Sequence, residues 1–216
     1  MAIDLTLEWS GYYASSSSII MNKPTNTADG DFLFAGFFLQ SGRTINSVPA
    51  DWNYINSLQS AFTANWRSYW YYKRASSEPS TWTWGKSGTD LSSGIVKRIT
   101  GVVSSGDPFD ATATTYNSGT QSATAILTAI TTNTANAAVI AFMACGSTGA
   151  YGASDLTGIA VQANMIALFG DLQESPGTTG NKTINGAYSW HMGSLMALKP
   201  AGNPARTRYP FISFKG

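Results

Sequence analysis

The hydrophobic positions of this chain alternate with polar ones over short stretches, and Gly, Pro, Asn, Asp and Ser separate the stretches. That is the pattern of β-strands and turns. Ile3, Leu5, Leu7 and Trp9 alternate with Asp4, Thr6 and Glu8, which predicts a half-buried strand over residues 3–9. A hydroxyl-rich loop is expected over residues 11–18, then a short apolar piece, Ile19 to Met21. Residues 32–39 (FLFAGFFL) and 137–144 (AAVIAFMA) are apolar throughout and predict central strands covered on both faces. Ile55, Leu58 and Phe62 have near-helical spacing and predict a turn or two of helix.

The richest stretch runs from Asn65 to Asp110 and holds four of the seven tryptophans. Side chains alternate along a strand, so Trp66, Trp70, Tyr72 and Arg74 share one face, and Arg67, Tyr69, Tyr71 and Lys73 the other. After the turn at residues 76–80, Thr81-Trp82-Thr83-Trp84 resumes the alternation, with both tryptophans on one face. Residues 94–103 form a third run. Further strands are expected over residues 111–116, 123–130, 183–188 and 192–198, with short apolar pieces at 159–161 and 165–169. No repeat of fixed period stands out. Many short strands at this spacing predict an all-β, single-domain β-sandwich of jelly-roll type over residues 1–201, with at most one short helix. Residues 202–216 form a C-terminal tail. Tyr209, Phe211, Ile212 and Phe214 crowd into it, which predicts an edge strand or an intersubunit arm, since Pro210 cannot donate to a ladder.

Composition narrows the function. Charged residues are 12% of the 216 and the net charge is +1, which argues against nucleic acid or acidic lipid as a partner. Residues 1–9 have neither a basic region nor an apolar core of the signal-peptide kind, and no apolar run is long enough to span a bilayer. Cys145 is the single cysteine and lies in an apolar run, so a buried, inert thiol is expected.

Chemistry has few footholds. His191 is the only histidine, which excludes a multi-histidine metal site within one chain, and no G-x-S-x-G elbow supports a triad through it. Seven of the twelve carboxylates sit directly beside Gly, Pro or Ser, where carboxylates shape turns. Asp29-Gly30-Asp31 is a fragment of a calcium loop without the remaining ligands. Neither a catalytic residue nor a metal or cofactor is therefore expected. The aromatic residues alone offer a binding feature: Trp52, Tyr54, Tyr69, Tyr71, Trp82 and Trp84 could present flat apolar faces to sugar rings. Against that stands the expectation that most of them fill the core or an intersubunit contact.

Several stretches carry a resemblance by their order along the chain. They are Gly30-Asp31, Pro49-Ala50-Asp51-Trp52, Glu78-Pro79 before Thr81-Trp82-Thr83-Trp84, and residues 94–101 before Asp107-Pro108-Phe109-Asp110. Ser175-Pro176-Gly177-Thr178-Thr179-Gly180 and Met196-Ala197-Leu198-Lys199-Pro200-Ala201 follow. Over residues 29–201 the chain resembles a β-sandwich domain that recurs in tailed-bacteriophage and prophage proteins and in some bacterial surface proteins. The resemblance implies a structural or adhesive module, with no catalytic residues to carry over. The expectation is a virion protein made in the host cytoplasm, a capsid decoration or spike protein. Its partners would be major capsid or tail proteins or further copies of itself. The alternative is a glycan-binding adhesion module on a tail or fibre.

Overall fold

A computed structural model describes residues 2–61, 63–146, 150–162 and 165–202. Eighteen strands and no helix form among the described residues. The first eight are β1 (Trp9–Ser15), β2 (Ser18–Asn22), β3 (Phe32–Leu39), β4 (Ile45–Ser47), β5 (Asn53–Gln59), β6 (Arg67–Arg74), β7 (Thr81–Lys86) and β8 (Leu91–Ile99). Then come β9 (Phe109–Asn117), β10 (Ser122–Leu127), β11 (Thr131–Thr132), β12 (Ala137–Cys145) and β13 (Gly152–Ala153). The last five are β14 (Thr157–Gln162), β15 (Ile166–Gln173), β16 (Gly177–Thr178), β17 (Lys182–Ser189) and β18 (His191–Leu198).

The expected all-β sandwich is what the chain forms, and it forms the motif twice. In the first half a five-stranded sheet, β1-β8-β3-β6-β5, is backed by a three-stranded sheet, β2-β7-β4. In the second half β9-β18-β12-β15-β14 is backed by β10-β17-β13, with the small ribbon β11-β16 added. Pairing first with eighth, second with seventh and third with sixth strand is the jelly-roll order. Here the fifth strand has moved to the edge of the larger sheet.

The equivalence extends to single residues. Gly94 of β8 faces Tyr12 on one side and Phe37 on the other, and Gly193 of β18 faces Tyr116 and Met143. The register of β5 on β6 slips at Ile55, and that of β14 on β15 slips at Ile159. Ile20 opposes Thr83 on the first outer sheet, and Ile126 opposes Thr183 on the second. No repeat was legible in the sequence because most equivalent positions share only their burial. Phe34 corresponds to Ile140, Trp70 to Leu168 and Lys97 to Met196, as the registers of the paired strands fix.

The two large sheets pack face to face, with β3 over β12, β14 over β8 and β5 over β18, so the halves are related by an approximate two-fold axis. Three apolar layers result. The shared layer holds Phe32, Phe34, Phe38, Trp70 and Ile95 against Ile140, Phe142, Leu168, Met192 and Met196. The outer layers fill each sandwich, one around Trp52, Trp82, Trp84 and Tyr71, the other around Leu127, Met143, Phe169 and Leu195. Near the axis the symmetry breaks. Phe142 lies over its own equivalent, Gly36, where any Cβ would collide with the ring. β3 and β12 are each the middle strand of a covered sheet, so every residue of both is buried.

Three expectations need correction. The N-terminal strand is not residues 3–9: Asp4 makes only an isolated bridge to Thr100, and the regular strand runs from Trp9 to Ser15. The predicted loop at 11–18 is thus mostly strand, because its hydroxyl-rich residues lie on a sheet edge where one face meets solvent. Ile55 and Leu58 lie on β5, not on a helix, since the Ile55 bulge offsets a period of two enough to imitate a longer one. Phe62, like the tail residues Tyr209, Phe211, Ile212 and Phe214, lies outside the described residues.

Candidate ligand-binding surface

Of the six aromatic residues offered as a candidate sugar platform, five come together in the core of the first sandwich. Trp52, Tyr69, Tyr71, Trp82 and Trp84 are buried, and Tyr54 alone is exposed, at 57%. Trp52 packs edge-on against Trp82 and Trp84, with ring centres 5.4 and 5.1 Å away, and Trp84 meets Phe37 at 4.8 Å. As an exposed platform the set is therefore corrected. Alternation put Trp82 and Trp84 on one face, and the three-stranded sheet turns that face onto the larger one. Trp82 Nε1 donates to Glu78 Oε2 at 2.9 Å, and Lys73 pairs with Glu78 at 2.7 Å, so the turn at 76–80 is pinned by a buried ion pair. Burial also holds the Tyr71 hydroxyl well above its ordinary pKa.

His191, Cys145 and the carboxylates of two turns are built into the scaffold. His191 Nε2 lies 2.9 Å from the Ser122 carbonyl, and its backbone N–H donates to Ser118 Oγ at 2.7 Å, which joins β18 to the start of β10. Cys145 is fully buried at the end of β12. In the calcium-like fragment, Asp31 Oδ2 takes 2.6 Å contact from Arg98 Nε, while Asp29 Oδ1 accepts from the Ser77 N–H. Asp110 accepts from the Asn133 and Thr134 N–H groups and from Thr134 Oγ1, fastening that turn to β9. Among the described residues no group of three metal-ligating side chains gathers.

Two corners remain open where the edges of the large sheets meet. At the β5/β9 corner a groove of about 620 Å³ is lined by Tyr54, Asn56, Tyr72, Asp107, Phe109 and Lys199 among others. Its aromatic floor is already occupied: Tyr72 stacks on Phe32 at 5.7 Å and takes Phe109 edge-on at 5.2 Å. At the β1/β14 corner lies a feature that the sequence reading passed over. Trp9, Gly11 and Tyr13 share one face of the edge strand β1, and Trp9 and Tyr13 are 38% and 44% exposed. The Gln162 side chain from β14 rests on Gly11, in the space a Cβ would take, and that Cβ would also lie 2.9 Å from the Trp9 ring. Glycine lets the neighbouring strand's amide sit directly on the backbone, and a side chain at residue 11 would push that amide aside. The signal was present in the alternation of Trp9, Gly11 and Tyr13, but it was hidden by a strand boundary drawn at Trp9.

No family model, curated protein or solved structure matches the chain.

Proposed function

We propose that this chain is a structural protein of a tailed-bacteriophage particle, a capsid decoration or spike protein that docks on the shell as a rigid body. The observation that carries the reading is the stack of two jelly-roll sandwiches on one shared core, with most of the described aromatic residues spent on packing. A body of this kind transmits load and presents surface. It is weakly charged, so docking would rest on buried contact area rather than on long-range attraction. Many symmetry-related copies would let modest single contacts add up. The resemblance of residues 29–201 to phage sandwich domains supports the same role, with major capsid or tail proteins as partners. Sedimentation tests it: purified protein mixed with capsids and with tails should pellet with the capsids. Pelleting with tails alone would move the role to the tail, and pelleting with neither would end the reading.

A second reading, an adhesion module that binds host glycans, is favoured by one observation. The Trp9–Tyr13 face leaves two large aromatic residues in solvent in a chain that buries or half-buries every other described tryptophan.

A further inference from the structure

We infer that the Trp9–Gly11–Tyr13 face of β1, with the Gln162 amide seated between the two rings, is a binding site for a neutral oligosaccharide. The inference rests on the adhesion reading and gives it a site other than the buried aromatic set. Three observations carry it.

The first is the state of the rings. Trp52, Trp66, Trp70, Trp82, Trp84 and Trp190 each pack against another aromatic ring. Trp9 and Tyr13 pair with no described ring and keep over a third of their surface in water. Residues 9 and 13 are four apart on one strand, so their Cα atoms are about 13 Å apart, which leaves room for a short sugar chain across both rings.

The second is the polar group between them. Gln162 offers two donors and an acceptor within the apolar strip. Sugars present a C–H face edged by hydroxyl groups, so ring–amide–ring matches them in both respects. The Glu8 carboxylate beside the strip is engaged with Arg98 at 3.0 Å and with Asn26 at 2.8 Å, which favours a neutral ligand over a charged one.

The third is the internal control that the duplicated fold supplies. At the β5/β9 corner the equivalent strand carries Ala113, Thr115 and Asn117, and Leu58 stands in the place of Gln162. There Asn117 joins the sheets, accepting from the Ala61 N–H and donating to the Gln59 carbonyl. The equivalent positions thus hold no aromatic residue and no glycine, and the one amide among them is spent on fastening one sheet to the other. Packing does not ask for the set at β1, and exposed rings carry a solubility cost.

The test uses the full chain and soluble neutral hexasaccharides of glucose, galactose, mannose and N-acetylglucosamine. Trp9 is the most exposed indole among the described residues, so a bound sugar should shield it from acrylamide quenching, and Trp9→Phe should remove the most readily quenched fraction. Trp9→Ala and Tyr13→Ala should each weaken binding at least tenfold while the melting temperature holds. Gln162→Leu, the residue of the other corner, should weaken it several-fold. Tyr188→Ala, a ring exposed on the outer sheet, should change nothing. If the protein binds a sugar and Trp9→Ala/Tyr13→Ala binds it equally well, the site is wrong and the adhesion reading survives. No binding to any of the four sugars overturns both. Protection of Trp9 by capsid or tail protein, with no sugar effect, overturns the sugar and makes the face a protein contact.

Discussion

The two halves have the same strand order, the same bulge and the same outer-sheet pairs, yet they are filled differently. The first packs Trp52, Trp82, Trp84, Tyr69 and Tyr71 into its outer layer. The second fills the corresponding layer with Ala125, Leu127, Val139, Met143, Ala167 and Leu195. The first half also carries the buried lysines. Lys97 and Lys73 stand where the second half has Met196 and Asp171, and Arg98 where it has Ala197. One topology therefore accepts two core chemistries. What it demands is which positions are covered, while the size and polarity of the filling are local solutions.

Covered positions should respond alike in both halves. Phe34 and Ile140 are equivalents that meet in the shared layer, so Phe34→Asp and Ile140→Asp should each abolish soluble folding, because an unpaired buried carboxylate costs several kcal/mol. A soluble, normally stable variant of only one of them would show that the halves are not energetically joined.

The contact at the axis should break the likeness. Phe142→Ala opens a cavity against Gly36, Phe34 and Trp70 and should cost about 3–5 kcal/mol in denaturant unfolding. Gly36→Ala puts a methyl group into the same ring and should also destabilise. Combined, they should cost less than the sum of the two, since each relieves the other. Additive costs would mean that the ring and the glycine do not share the space.

Lys97 gives a pH-dependent difference. Burial lowers its pKa from 10.5 to about 8, against the opposing pull of Asp4 and Glu8, while its Nζ donates to the Leu7 carbonyl. Below pH 8 the lysine is charged in both states and the fold bears the desolvation cost. Between pH 8 and 10.5 the unfolded chain binds more protons, so stability should rise with pH across that window, by roughly 3 kcal/mol in total. Burial lowers the Lys86 pKa too, which adds a contribution of the same sign. Near pH 10 the raised Tyr71 pKa begins to oppose both, because the unfolded phenol ionises first. Lys97→Met, the second half's own choice, should remove most of the slope and raise stability at pH 7 by about 2 kcal/mol. That figure is the relief less about 1 kcal/mol for the Leu7 carbonyl. An unchanged slope would place the pH dependence elsewhere.

The smallest effect is expected on the outer faces. Ile20 and Ile126 are equivalent and exposed, so Ile20→Thr and Ile126→Thr should each shift stability by less than about 0.5 kcal/mol. A larger loss at one of them in assembled particles, but not in free protein, would mark that face as a contact.

The amino-acid sequence by itself determined the class of the fold and its two central strands, because unbroken apolar runs such as FLFAGFFL are stable only where both faces are covered. It also determined which aromatic residues share a face: the split of residues 67–74 between Trp70 on one side and Tyr69 and Tyr71 on the other became the split between two apolar layers. It did not determine which face would be left in water. A period of two says that Trp82 and Trp84 go together, and that Trp9 and Tyr13 do. Whether a second layer lies over them is decided by where distant strands stack, and stacking buried the first pair and left the second exposed. The duplication stayed hidden for the same reason. A fold of this kind conserves burial and register between its halves, and both are properties of strand pairs, set only when residues far apart in the chain meet.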